Sequence, residues 1–336
     1  MSASDFKSLL REELEARGLL GTRASRAACA AHAADRGERA LAEVAALIGE
    51  ATMRRALSTR RGEGFATSYR YVLGYGSLMT EFLVAPVGLD AAQLARVAAL
   101  GALANLIVTH FDELVDGGSP RSLLLPQSAL AVAPTRAGRA LLRAGAHFGP
   151  PSTRLIVALV ALYFARAHDL QCAAMRPHVR RRLSRTIMTM YAEEGRTPRE
   201  WRRLRGDAAF QKKTALPLVA LGLPAWLASP ELDETRFQAH CRWLVRVGKF
   251  VRWVDDAADV EADGAAGAAN LVRHALARRR DRPVADEMLA AGIAKRGRRL
   301  VEEWSAFMTG SNEAIHTVLS NVLVAWVGEP EYAGST

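Results

Sequence analysis

Apolar residues recur three and four positions apart along nearly all of the 336-residue chain, and no run alternates apolar with polar. That spacing fits one face of an α-helix and not the two faces of a strand. Ala, Leu, Arg and Glu, all good helix formers, dominate. Breaks are sparse: Gly62–Gly64, Pro86–Gly88, Gly117–Pro126, Gly149–Pro151, Gly195–Pro198, Gly222–Pro230 and Gly264–Gly267. Between them lie segments of roughly 15–30 residues, long enough to cross a large bundle. The sequence predicts an all-α fold: a single domain over 1–336 with about ten to twelve helices. A division near Pro150–Pro151 is the two-domain alternative.

Half of the residues are hydrophobic, enough for a large core and too many for a disordered chain. Lys+Arg is 45 against 35 Asp+Glu, a net charge of +10. Only Lys7, Lys212, Lys213, Lys249 and Lys295 are lysines; the other 40 basic residues are arginine. The excess follows an Arg- and Ala-rich coding bias and argues only weakly for a polyanionic partner. Arg180–Arg182 and Arg278–Arg280 read as solvated helix faces. They lack the interleaved aromatics of a nucleic-acid module, so no nucleic-acid partner is expected. Cys29, Cys172 and Cys241 make neither a CxxC pair nor a disulfide framework. The first residues are charged and lack the apolar stretch of a signal peptide. The longest uncharged runs, Val97–Phe111 and Leu155–Ala165, fall short of the ~18–20 residues that span a bilayer. A cytoplasmic protein with no membrane span is expected.

Two acidic clusters carry chemistry. Asp112-Glu113-Leu114-Val115-Asp116 follows an uncharged helical run and precedes Gly117-Gly118. Asp112 and Asp116 are four apart and share a helix face. At a helix C-terminus these acids meet the negative end of the dipole, so a positive partner is expected there. The second cluster runs from Asp255 to Asp263. Asp255, Asp259 and Asp263 form an i, i+4, i+8 ladder, with Asp256 and Glu261 beside it. Such a ladder repels itself unless a cation bridges it. Hard divalent cations take oxygen ligands, and Mg²⁺ suits a site where phosphate completes the shell. Facing each other across a bundle, the two clusters would hold Mg²⁺ and, through it, a diphosphate.

This layout resembles the trans-isoprenyl diphosphate synthases and the wider class I terpene synthase superfamily, over roughly Tyr69 to Gly267. Asp112–Asp116 resembles the first aspartate-rich motif. Lys213-Thr214-Ala215 resembles the Lys-Thr-Ala motif, whose lysine binds the substrate diphosphate. Gly248–Asp259 resembles the glycine-to-second-aspartate motif, and Asp255, Asp259 and Asp263 also match the metal triad of terpene cyclases. The resemblance implies an isoprenoid-synthase-type helical bundle with a central active-site cavity. It implies a prenyl diphosphate substrate, about three Mg²⁺ ions, and allows a homodimer. The metal carboxylates would be Asp112, Glu113, Asp116, Asp255, Asp256, Asp259 and Asp263. Lys213, Arg121 and Arg252 would act on the diphosphate, helped by Lys212 and Lys249. Phe111 and Trp253 would offer π faces to a carbocation, with ordinary core packing as their other reading. Ile107 and Val108 would set chain length. Ala104 and Gly101, one and two turns further back, leave that path open to a C20 or longer chain.

The departures from the elongating enzymes are not random. The region GEGFATSYRYVLGYG has no Gly-Lys-Arg acceptor motif, Asn105 replaces an acceptor-site histidine, and Ser122 replaces the second arginine after the first motif. Arg121 keeps the first. Phe111 and Arg252 stand where the family has histidine and glutamine. The ligands for the allylic diphosphate remain and those for the isopentenyl acceptor have gone. The resemblance therefore implies a terpene synthase that ionises an allylic diphosphate of C15–C20 or longer, then cyclises or eliminates. The alternative is a trans-prenyltransferase, elongating a chain or using another acceptor.

Overall fold

Several helices start where the local chemistry supplies a cap. Asp90 and Gln93 exchange backbone–side-chain hydrogen bonds of 2.8 and 3.1 Å, a capping box that opens a long helix. Thr135 Oγ1 accepts from the Gly138 N–H at 2.9 Å, and Asp233 accepts from the Thr235 and Arg236 N–H groups. Gly149 takes φ +89° just before Pro150 and Pro151, and the next helix begins at Pro151. The computed structural model describes residues 3–19, 31, 35, 39, 41–42, 44–61, 65–116, 124–170, 176–194, 207–266, 270–278 and 281–305.

Among those residues every regular element is helical and there is no strand. In chain order the α-helices are α1 (Ala3–Ala16), α2 (Glu50–Arg61), α3 (Phe65–Val84), α4 (Ala91–Asp116), α5 (Gln127–Val132), α6 (Arg136–Gly145) and α7 (Pro151–Asp169). They continue as α8 (Pro177–Glu194), α9 (Asp207–Gly222), α10 (Ala225–Ala228), α11 (Glu234–Ala258), α12 (Val260–Ala266), α13 (Leu271–Ala277) and α14 (Arg282–Ser305). The all-α expectation is met. The excess over the expected number comes from the short helices α5, α10, α12 and α13. The Pro86–Gly88 break is a 3₁₀ turn over Ala85–Val87 that ends on Gly88 at φ +75°. Gly264 does not end its helix as expected; α12 carries through it to Ala266.

The elements group into two compact units. One comprises α2–α8, the last turn of α9, α10 and the first residues of α11. Its core is built on α4, where Val97, Leu100, Leu103 and Leu106 are fully buried, and on α7, where Leu155–Ala161 is buried throughout. Helices α3 and α4 approach closely because Gly76 and Gly101 present no side chains at the crossing. A Cβ on Gly76 would stand 2.8 Å from the Gly101 carbonyl oxygen, and one on Gly101 would stand 2.6 Å from Thr80 Cβ. Gly101 is therefore filled by its neighbour and does not serve as the open path expected of it. The buried Arg176 ties α10 down by donating to the Trp226 carbonyl at 2.6 Å and the Pro230 carbonyl at 3.1 Å.

Within α4, Ala91–Asp112 is long and apolar enough to cross a membrane by length and composition alone, with mean hydropathy 1.6. This run is longer than the uncharged segment in the sequence because it takes in Arg96. Its apolar residues are used inside the unit, against α3, α7 and α10.

The other unit comprises α1, α9 as far as Leu218, α11 from Ala239, and α12–α14. Helices α1 and α14 pack side by side, with Arg298 Nη1 donating to the Arg17 carbonyl at 2.7 Å. Trp243, Leu244, Val247, Val251 and Val254 form the buried face of α11. Cys241, also on that face, is a fully buried core residue.

Candidate metal- and diphosphate-binding motifs

The second acidic cluster sits where α11 gives way to α12. The helix bends at Asp259, yet the i→i−4 hydrogen bonds continue across the bend: Asp259 N–H to Asp255 C=O at 3.0 Å and Asp263 N–H to Asp259 C=O at 2.9 Å. The helical phase is kept, so Asp255, Asp259 and Asp263 remain successive rungs of one face. Asp259 is exposed, while Asp255 and Asp263 are half-buried. Desolvation raises the Asp259 carboxyl above its ordinary range, and the Asp263 charge raises it further; Lys7 and Arg252 pull it back. The self-repulsion read from the spacing is thus present at the middle rung.

Asp256 stands apart from the ladder. It is 1% exposed, and both of its oxygens are engaged: Oδ1 lies 2.7 Å from Arg252 Nη2, and Oδ2 accepts from the Leu271 N–H at 2.7 Å. Burial pushes its pKa from 3.8 to about 6, against the pull of Arg252 and the Leu271 N–H. This aspartate, expected as a metal ligand, anchors α13 to α11. Arg252, expected to reach a diphosphate, bridges the motif's own acids, with Nη1 3.5 Å from Asp255 Oδ2. Trp253 is half-buried, and the Arg296 guanidinium lies over its ring at 5.9 Å, so one π face already serves a cation.

Helix α11 carries Gly248 and Lys249 one to two turns before Asp255. A Cβ on Gly248 would enter Ala215 Cα and stand 2.9 Å from Ala215 Cβ. Two of the motifs singled out in the sequence therefore touch through this glycine. Lys212, Lys213 and Thr214 lie on α9 just before Ala215; their side chains are outside the described residues. Pro217 has no N–H to give to the Lys213 carbonyl, so the helix is locally loosened one turn beyond that lysine. Lys249 is half-buried.

The first acidic cluster ends α4. Asp112 is half-buried; Glu113 and Asp116 are helical, with side chains outside the described residues, and Arg121 lies outside them altogether. Phe111 is 7% exposed and packs at a tilt on Tyr191, ring centroids 5.7 Å apart, which favours its core reading. Ile107 and Val108 are half-buried. His110 is fully buried, with Nδ1 2.6 Å from Tyr69 Oη. Asn105 donates to the Val72 carbonyl at 2.7 Å, so it braces α3 against α4.

Sequence reasoning missed three residues. Asn270 caps α13 by accepting from the Arg273 N–H at 3.0 Å, and its amide donates to the Asp256 carbonyl at 2.6 Å and to Asp263 Oδ2 at 2.8 Å. An Asn just before the apolar turn Leu271-Val272 was the available signal. Arg273 brings its guanidinium within 3.1 Å of where a Gly264 Cβ would stand. Lys7, on α1, offsets charge at Asp259, and no local pattern links it to a motif about 250 residues away.

Among the described residues no three His, Cys, Asp or Glu side chains converge on a point that could hold a metal. The ladder nonetheless fits Mg²⁺ by its chemistry. Rungs one turn apart are about 6 Å from each other. Measured between Cβ atoms, that spacing lets each carboxylate give one oxygen to an ion completed by water and phosphate, which is the usual Mg²⁺ arrangement. No protein-family model matches the chain, and no curated protein matches it significantly.

Proposed function

We propose that the chain is a class I terpene synthase of the isoprenoid-synthase type. It ionises an allylic prenyl diphosphate of C15–C20 or longer and lets the cation cyclise or eliminate without an isopentenyl acceptor. The observation that carries this reading is the Asp255–Asp259–Asp263 ladder, held in one helical phase, with the Asp259 carboxyl raised by desolvation and then by the Asp263 charge.

In this reading Asp255, Asp259 and Asp263 hold Mg²⁺, and Asp112, Glu113 and Asp116 are the second carboxylate group. Bound Mg²⁺ supplies electrophilic help to the departing diphosphate. Lys213 and Arg121 donate to its oxygens, with Lys212 and Lys249 as helpers, and so hold the charge that builds on the leaving group. Asp256 and Asn270 keep the ladder in place: one clamps α13, the other orients Asp263. Arg252, which pairs with Asp255 and Asp256, joins Lys213 and Arg121 in acting on the diphosphate. A terpene hydrocarbon or alcohol is the product class.

The test is incubation with farnesyl, geranylgeranyl and longer diphosphates plus Mg²⁺, with and without isopentenyl diphosphate. A hydrocarbon or alcohol formed without the acceptor supports the reading. Products that form only with the acceptor, as lengthened diphosphates, overturn it in favour of a prenyltransferase. Asp255→Ala is expected to lower turnover by about a hundredfold or more; unchanged turnover would remove Asp255 from the metal site.

A further inference from the structure

Helix α6 begins with an arginine, and α8 carries arginines from its fourth residue. Arg136 and Arg139 fall in the first turn of α6, and Arg180 and Arg181 fall at the fourth and fifth residues of α8, with Arg185 one turn on. A helix N-terminus already carries partial positive charge, so cations there are disfavoured twice, by the dipole and by one another. These five arginines, with His168 from the end of α7, line an open cleft of about 580 Å³. None of them belongs to either aspartate motif.

Some surface arginines pair with an acid one turn away: Arg17 with Glu13, Arg54 with Glu50, Arg298 with Glu302, Arg299 with Glu303. The cleft gathers five arginines that do not. Among the described residues none of the five pairs with a carboxylate, and Arg139 donates only to the Pro134 carbonyl, at 2.8 Å. The sequence reading of Arg180–Arg182 as a solvated face holds for none of the three alike. Arg182 is spent on protein contacts, with the Phe237 ring at 5.5 Å and Gln238 Oε1 at 3.1 Å, while Arg180 and Arg181 turn to the cleft.

We propose that this cleft binds a small polyphosphate anion, a di- or triphosphate, without a metal. Each guanidinium is a planar fork matched to two phosphate oxygens. Five forks exceed what one phosphate group can occupy, so the ligand carries at least two. The volume lies in the range of small-molecule sites, ~300–1,000 Å³. A concave wall shared by two helix starts encloses a compact anion better than it meets a flat bilayer or a duplex. The absence of acids among the cleft's lining residues leaves no carboxylate to hold a hard divalent ion. The proposal does not rest on the terpene synthase reading.

The test is isothermal titration of the full chain in EDTA at low salt with inorganic diphosphate, inorganic triphosphate and ATP. The variants are Arg139→Gln/Arg181→Gln, Arg136→Gln/Arg185→Gln and Asp255→Ala. Saturable binding is expected for the wild type and for Asp255→Ala, with affinity falling as salt rises. Each double variant is expected to bind about tenfold or more weakly. Equal binding of triphosphate and ATP marks the phosphate chain as the recognised group; tighter ATP binding adds the nucleoside, and both outcomes support the cleft. Without ligand the double variants are expected to melt no lower than wild type, because repulsion has been removed, and this separates lost binding from lost fold. No binding of any of the three anions, equal binding by wild type and both double variants, or binding seen only with duplex DNA or phosphatidic acid vesicles would overturn the proposal.

Discussion

Gly248→Ala tests the contact that joins the two α9 and α11 motifs. The new Cβ would stand 2.9 Å from Ala215 Cβ and overlap Ala215 Cα. Carbon atoms rest about 3.5–4.0 Å apart, so the helices must separate locally by about 1 Å. The obstruction is backbone, with no rotamer to yield. A gap of that size forfeits about a quarter to a half of each dispersion contact across it. Overpacking in cores costs typically ~1–3 kcal/mol, and a backbone clash belongs in the upper half of that range. Against this, alanine is better than glycine inside a helix by about 1 kcal/mol. The net expectation is destabilisation by about 1–2 kcal/mol. Gly292→Ala is the control: it lies exposed on α14 with nothing within 4 Å of the added Cβ, so only the helix gain of up to about 1 kcal/mol remains. Urea unfolding of both variants, compared at equal m-value, reads the difference. The two should move in opposite directions from wild type. A Gly248→Ala protein as stable as Gly292→Ala would refute the close approach, and with it the packing of Ala215 on the aspartate-bearing helix.

Three further outcomes are expected. Asp256 has a folded pKa of about 6 against 3.8 unfolded; below the lower value both states hold the proton, and as pH rises between the two the unfolded state releases it first. Stability from this group therefore falls by roughly 2–3 kcal/mol across that window. Metal-free wild type measured near pH 4 and near pH 6.5 should lose that amount relative to Asp256→Asn, and parallel pH profiles would contradict the assignment. Asn270→Ala removes a helix cap and the amide that holds Asp263; a loss of about 1–2 kcal/mol in thermal unfolding is expected, and full stability would show the clamp to be idle. Tyr69→Phe removes the buried hydroxyl from His110 Nδ1; calorimetry should read a loss of about 1–2 kcal/mol, and an unchanged melting curve would refute that bond's contribution.

The helical class was legible because it is written by a repeating local signal: apolar spacing, good helix formers, and breaks such as Pro86–Gly88 and Gly149–Pro151 that are breaks wherever they occur. The phase of the acid ladder was legible for the same reason, since i, i+4, i+8 is a property of one helix. Partners from other elements were not. Asp255 and Asp256 are neighbours of one type in sequence, yet one is half-buried and the other fully enclosed, and what separates them is the Leu271 N–H fifteen residues on. Gly101 read as open space because a sequence cannot say that Thr80 fills it. Arg180 and Arg182 looked alike in a run; Phe237 and Gln238 claim the second and leave the first.

The charge arithmetic changes once these partners are known. Lys212, Lys213 and Lys249 fall within the motif segments, and Lys7 acts on Asp259 from a distant part of the chain. Four of the five lysines are thereby tied to the candidate motifs. The cations that do reach the second cluster are not placed to silence it. Arg252 spends its best contact on Asp256, the one acid already enclosed, and lies a long 3.5 Å from Asp255. Asn270 holds Asp263 with a neutral amide. Asp259, the exposed middle rung, keeps a raised carboxyl despite Lys7. Asp256, the anchoring aspartate, holds the closer ion pair of the two with Arg252, and the exposed rung Asp259 holds the raised carboxyl. In the proposed reading a cation from solution would complete the charge at the exposed Asp259.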